Sequence, residues 1–349
     1  MTLRVRWPSL LLPALMFPAL LAARQGDADG KKAARLFRET DPVVMWLSAD
    51  FKTVFKERDS TSTKQFPASL RYLDKSDTVS LDVRLSTRGH FRLRPNSCAV
   101  PPIKVWFDKE KTKGTLFGGQ GSLKLTTHCQ KGERYAENVY IEYAAYAMYN
   151  ELTPVSLKAR LATVDWKDIN DPKFAVTRPA FWTEDDDDMA ARSRGKILMQ
   201  TGGNAAEMEP TQMAVTDLFQ YMIGNTDFSL SYLHNYRIVQ TDTSMNFYPM
   251  AYDFDWSGLV SAPYAKPDYR LPIKRVTDRL YRGGCHGMTT LTEAVDLFKA
   301  KKGDIYEVLK DIKGMSPDRL KEATGFLDEF FKLIDDPGAV KREFRRPCP

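Results

Sequence analysis

Histidine and cysteine are scarce in this sequence, and neither is arranged for zinc or for nucleophilic catalysis. The 349 residues contain four His and four Cys, with no His-x-x-x-His pair and no Cys-x-x-Cys spacing. Both common kinds of zinc site therefore lack their ligands. No Gly-x-Ser-x-Gly elbow occurs, so an α/β-hydrolase is unsupported. There is no arginine-rich tract and no zinc-knuckle spacing, and the net charge of +6 is modest. Nucleic acid is not the expected partner. No internal repeat is visible. Apolar residues make up 43% and charged residues 28%, values of a globular and not a disordered chain. The length accommodates two lobes with a substantial core.

The N-terminus places Arg4 and Arg6 before an uncharged run from Trp7 to Ala23. That is the layout of a secretory signal peptide, read over residues 1–23. Pro8, Pro13 and Pro18 oppose a stable spanning helix. No Cys follows the run, which argues against a lipoprotein anchor. The alternative is an uncleaved membrane anchor, the only membrane association expected. The protein is thus expected to be exported, periplasmic or extracellular, where disulfides persist. Four cysteines, Cys98, Cys129, Cys285 and Cys348, allow three pairings. Proximity in sequence favours Cys98–Cys129 and Cys285–Cys348.

Residues 24–42 read as a flexible lead-in. From Val43 the pattern favours strands. Val79, Leu81, Val83 and Leu85 share one face by period-two alternation, and "PPIKVWF" and "GSLKLTTH" are further short β-rich runs. Residues 133–152, rich in Ala, Tyr, Glu and Met and closed by Pro154, read as one long helix. "KARLATVDW" and "KFAVTRPAFWTE" read as two more strands, and "EDDDDM" as a solvated acidic loop. Beyond residue 200 helices dominate, apart from a hairpin formed by "NYRIVQ" and "NFYPMAYDF". The expected fold is α+β: a β-rich N-terminal lobe over 43–200 with one long helix, and a mainly helical C-terminal lobe over 201–349. Ser316 before Pro317 marks a helix start.

Carboxylates stand out among apolar stretches in "FQYMIGNTDFSLSYLHNYRIV", residues 219–239, and "MAYDFDWSGL", residues 250–259. Buried carboxylates need donors, a basic side chain or a metal. Asp227 falls in a loop just past a helix that stops at Gly224–Asn225. Asp253 and Asp255 flank Phe254, and in an extended chain would point the same way. A hairpin brings Asn235 near Asp253. Such a set suits phosphoryl transfer, in which one carboxylate takes the acceptor proton and an Asn and another Asp hold magnesium. A Lys steadied by a helical Glu completes it. Lys104 and Glu142 are the candidates, with Lys124 as the competitor.

In the order of its motifs, "IGNTDFSLSYLHN…YDFD" preceded by "LSTRGHFRLRPNSCAVPPIK", the chain resembles the CotH-type atypical kinases of the HipA and Fam20-like superfamily over about residues 80–260. The resemblance implies a bilobal protein-kinase-like fold. It implies Asp227 as catalytic residue, Asn235 and Asp253 as metal ligands, and Asp255 as a second ligand or a structural residue. Lys104 and Arg88 would be phosphate-binding or structural groups. The cofactors implied are ATP with Mg2+ or Mn2+, and the acceptor is a protein or glycan hydroxyl. An envelope pseudokinase acting as a binding module, or a nucleotidyl (AMP) transferase, are the alternatives. Two features depart from the pattern. The stretch from Asp227 to Asn235 is long, so "FSLSYL" bulges or Asn235 is not a ligand; and "FGGQG" is only a partial Gly-rich phosphate loop. His234 is expected to hydrogen-bond across its loop, and Cys285–His286 is a weak nucleophile candidate.

Overall fold

In the computed structural model, residues 31–241 and 246–345 are described. The segment read as a signal peptide, residues 242–245 and Cys348 lie outside the described residues. Seven strands close into a barrel: β1 (Val43–Ala49), β2 (Phe66–Asp74), β3 (Asp77–Thr87), β4 (Ile103–Trp106), β5 (Ser122–Thr127), β6 (Ala159–Asp168) and β7 (Ala175–Thr183). Their order around the barrel is β1-β2-β3-β4-β5-β7-β6. The first five form an antiparallel meander. The β6–β7 hairpin then inserts between β5 and β1, with β6 running parallel to β1. Closure leaves no sheet edge unpaired. Leu81, Val83 and Leu85 of β3 face the interior, as their alternation requires.

A short helix, α1 (Phe51–Val54), follows β1, and the crossover from β5 to β6 is α2 (Glu133–Leu152). It ends at Thr153, which is extended ahead of Pro154, as the residue before a proline favours. α2 lies on the outside of the barrel, where Tyr143 and Tyr146 pack against Phe181 of β7. Its buried side belongs to a second core shared with the later helices, not to the barrel interior. After β7 come α3 (Asp186–Arg192), β8 (Gly195–Leu198), α4 (Pro210–Met222), β9 (Tyr236–Thr241) and β10 (Phe247–Ala251). β8, β9 and β10 form a separate antiparallel sheet. Among the described residues four helices follow: α5 (Met288–Ala300), α6 (Lys302–Lys310), α7 (Pro317–Ile334) and α8 (Pro337–Phe344).

The architecture corrects the expectation of a bilobal kinase-like fold with a β-rich N-lobe and a helical C-lobe. The first sheet is a closed seven-stranded barrel, and strands and helices are mixed after it. The physical reason is the β6–β7 hairpin, which occupies both edges that an open N-terminal sheet would expose. One local reading also changes. The acidic "EDDDDM" is the first turn of α3, capped by Asp185, a position where the helix dipole favours negative charge. The helix-periodic stretch "TLTEAVDLFKAKKGDIYEVLKDI" divides into two helices at Lys301. Ser316 does cap α7, accepting from Arg319 N at 3.3 Å. No helix among the described residues is long and apolar enough to cross a membrane.

Candidate active site

The candidate acids come from both halves and lie within electrostatic reach of one another, Glu142 on α2, Asp253 and Asp255 past β10, and Asp227 past α4. Glu142 and Tyr146 project from the middle of α2. Glu142 is 5% exposed and accepts no hydrogen bond or ion pair among the described residues. Asp253 and Asp255 lie just past β10. Phe254 between them is fully buried against Tyr146, Tyr149 and Phe219, which anchors the segment. Asp253 does not continue the strand. Its φ is +63°, a left-handed conformation uncommon outside glycine, and its N–H donates to the Tyr146 hydroxyl at 2.8 Å. The extended backbone that would make the two carboxylates face alike is therefore not the conformation found at Asp253. Asp255 is buried and accepts from the Tyr264 hydroxyl at 2.8 Å.

The electrostatics reflect too many acids for the donors present. Burial, and then Asp253, push the Asp255 carboxyl up to about 7, against the pull of Arg92 and Tyr264. Burial pushes Glu142 well above the usual carboxylate range, and Asp255 and Asp253 add to this against Arg92 and Arg88. Burial alone would lower Arg92; Tyr264, Asp255, Glu142 and Asp253 reverse the sign and hold its guanidinium more firmly charged. Arg92 carries no motif signal in the sequence and was missed there. It sits in the loop between β3 and β4 and donates to the Thr127 carbonyl. Phe91 beside it packs edge-on against Trp256, ring centroids 5.0 Å apart, and against Tyr264 at 5.7 Å. The Cys98–Cys129 disulfide ties this loop to the end of β5. Cys285 is also disulfide-bonded, so a Cys285–His286 nucleophile is ruled out.

Asp227 follows α4 by a short loop. Gly224 takes φ +64°, and a side chain there would meet Phe326 at 2.8 Å, so the helix turns off at a glycine. Asn225 accepts from Asp227 N at 3.0 Å. Residues 227–235 then form a small hairpin in which Ser229 and His234 exchange backbone hydrogen bonds. The long "FSLSYL" stretch is this bulge, and it returns Asn235 to Asp227. Asn235 Nδ2 donates to the Asp227 carbonyl at 2.7 Å and to its carboxylate at 3.1 Å, while His234 Nε2 lies 3.0 Å from the other carboxylate oxygen. The Asp227 hydrogen bond raises the proton affinity of His234. Asn235, like Asp253, has positive φ, +55°. Strained backbone of this kind clusters at functional sites.

The basic residues divide. Lys104 and Lys124 are cross-strand neighbours on β4 and β5 and share the outer barrel face. Lys124 pairs with Asp186 of α3 at 3.2 Å, and Asp186 also binds Arg237 of β9 at 2.9 Å. Asp186 thus joins the barrel to the small sheet, a role hidden in the sequence by its run of four Asp. Lys104 lies over the Trp106 ring at 4.4 Å and has no ion pair among the described residues. The expected Lys104–Glu142 pair is not formed. The cations nearest Glu142 in charge are Arg92 and Arg88, and Arg88 donates to the Thr126 hydroxyl at 3.2 Å.

No group of three or more His, Cys, Asp or Glu side chains among the described residues is gathered to hold a metal by itself. The donor chemistry still fits a small hard cation. Magnesium commonly takes one or two carboxylates and completes its shell with water and substrate phosphate. Asp253 has no donor on its carboxylate, and Asn235 keeps its amide oxygen free of any hydrogen bond among the described residues. No protein-family model matches this chain, and no curated protein is significantly similar to it.

Proposed function

We propose that this chain is an exported phosphotransferase of the CotH type, which uses ATP and a divalent metal to phosphorylate a protein or glycan hydroxyl. The observation that carries the reading is the Asp227 hairpin. It holds a surface-reaching carboxylate in a clamp of Asn235 and His234, within electrostatic reach of the under-partnered Asp253 and Asp255. The Asp227 side chain is 38% exposed, so an acceptor hydroxyl has access to it. In the proposed reaction that hydroxyl attacks the γ-phosphorus, the bond to ADP breaks, and the hydroxyl proton passes to Asp227. Asn235 and Asp253, with Asp255 behind them, would hold the metal, which supplies charge neutralisation at the phosphates. Lys104, with no acid on it among the described residues, is the candidate cation for phosphate, whereas Lys124 is committed to Asp186.

Nucleotide binding tests the reading. Protein lacking the first 24 residues is titrated with ATP in the presence and absence of magnesium or manganese, beside Asp253→Ala and Asp227→Ala. Metal-dependent binding is expected, weakened on the order of 100-fold in Asp253→Ala and little changed in Asp227→Ala. Radiolabel in the γ-position that appears on an acceptor identifies phosphotransfer; label that appears only from the α-position identifies AMP transfer. Wild-type protein that ignores ATP with either metal would sink both and leave a binding module.

A further inference from the structure

The segment between Ala262 and α5 contains no helix or strand. Loops of this length inside a compact fold are uncommon and usually functional. It is wrapped around the candidate site at four points. Tyr264 donates to Asp255. At Gly258 the segment comes so close that a side chain would meet the Val276 carbonyl at 2.8 Å, and Gly258 N is bonded to Gly224 O at 3.0 Å. Arg282 donates to the carbonyls of Thr226 and Phe228 on either side of Asp227. Gly284 N donates to Asp217 of α4 at 2.9 Å.

This strap is strongly basic. Residues 263–287 carry six Lys and Arg against two Asp. Both Asp are consumed locally, Asp268 by Arg270 and Asp278 by Arg275, and Arg279 pairs with Glu329. Lys266 and Lys274 are exposed and have no acidic partner among the described residues, whereas the exposed Arg282 is engaged by the Thr226 and Phe228 carbonyls. Apolar side chains stand out in the same neighbourhood: Tyr269 on the strap is 93% exposed and Tyr232 on the Asp227 hairpin 80%. Met199 is 70% exposed, on the loop that Gly202 N fastens to Ser231 O at 2.7 Å.

We infer that the strap is the docking surface for the acceptor, and that the acceptor is an acidic polypeptide segment presenting a hydroxyl residue to Asp227. The unpaired cations select negative charge. The exposed Tyr and Met side chains among them suit the mixed apolar and acidic side chains of a polypeptide better than a uniformly charged glycan. The inference rests on the phosphotransfer reading of the Asp227 site, but its test does not require turnover.

The probe is a fluorescein-labelled peptide of Glu and Leu residues with one Ser, followed by fluorescence anisotropy over a range of salt. The strap variant Lys266→Glu with Lys274→Glu is compared with Lys111→Glu with Lys173→Glu, which makes the same charge change at exposed barrel loops. Wild type is expected to bind in a salt-sensitive manner. The strap variant should bind roughly tenfold more weakly, and the barrel variant like wild type. Equal weakening in both variants would reduce the effect to net charge and overturn the proposal. Binding of a sulfated glycan but not the peptide would overturn it in favour of a glycan acceptor. Peptide binding that survives in protein unable to bind ATP would leave the docking surface standing and remove the catalytic reading instead.

Discussion

Buried carboxylates occur in two settings in this molecule, and their surroundings differ. Away from the candidate site they are well supplied with donors. Asp168 at the barrel end accepts from the backbone N–H groups of Lys52, Asn170 and Asp171. Glu184, after β7, binds Arg192 through both oxygens and takes the N–H of Lys158. Asp217 of α4 lies between the two settings: one oxygen accepts from Gly284 N and faces His286 Nε2, and the other, also buried, has no partner among the described residues. At the candidate site the supply fails. Among the described residues Glu142 accepts nothing, and the side chain of Asp255 accepts one tyrosine hydroxyl. A buried acid with a full set of donors is explained by folding alone. An under-supplied one costs stability, and a fold retains it when something outside the chain completes it.

The comparison breaks first if the well-supplied acids are dispensable. Glu184→Ala leaves the largely buried Arg192 without its carboxylate and with only the Pro154 and Ser156 carbonyls, a loss of about 3–5 kcal/mol by the usual cost of splitting a buried pair. Urea unfolding should show it, and ATP affinity of the protein that remains folded should be unchanged. A smaller loss, or a selective loss of nucleotide binding, would erase the distinction between the two kinds of acid.

The disulfide offers a second cut, because it holds the loop bearing Arg88 and Arg92 against the acid cluster. Cys98 and Cys129 are 31 residues apart, and opening a loop of that length costs about 3.5 kcal/mol by chain entropy. Cys98→Ser with Cys129→Ser should therefore lower the melting temperature. It should also weaken nucleotide binding at temperatures where the protein is still folded, as Arg92 loses its seat. Unchanged binding would mean that Arg92 is held by Phe91 packing alone.

What the sequence disclosed follows the range of the forces involved. α2 was legible to the residue, since its Ala, Tyr, Glu and Met content and the proline after it are local signals. The β3 face was legible from alternation. Barrel closure was not, because the pairing of Val43 with Ala162 brings together segments with no common local signature. The Asp227, Asn235 and Asp253 set was visible as a cluster of polar residues in apolar surroundings. Its geometry was not: the bulge at 229–234 and the left-handed turns at Asn235 and Asp253 depend on tertiary contacts such as the Tyr146 hydroxyl. Arg92 and Asp186 were invisible for a different reason. Each is one of several like residues in a row or near-row, and only the fold selects which of them turns inward.

A third prediction sharpens the contrast by pH. His128, at the end of β5, is buried edge-on to Trp166 with its Nδ1 unpartnered. Burial, and then Arg178 and Arg92, lower it from 6.5 to about 4. Between those values the unfolded chain binds a proton that the folded protein refuses. The neutral imidazole's contribution is thus full above 6.5 and is lost as pH falls toward 4, on the order of 3 kcal/mol in total. His128→Phe should remove that part of the acid destabilisation, read as the difference between urea midpoints at pH 7 and pH 4.5. An unchanged difference would mean that His128 is already protonated in the native state.

The smallest effect tests the comparison from its other side. Glu142→Gln keeps the shape of the side chain and removes an ionisable group whose charged form burial, Asp255 and Asp253 oppose. Removing an acid that folding does not need should stabilise the protein by about 1 kcal/mol, the usual scale of gain when a functional site is relieved of its conflict. Nucleotide or metal affinity should fall at the same time, because Arg92 loses an acid that holds its guanidinium in place. The two readouts move in opposite directions only if Glu142 is kept for function. If the variant were less stable, Glu142 would have a donor in solution after all, and the split between completed and uncompleted carboxylates would have to be redrawn with Asp253 and Asp255 alone on the functional side.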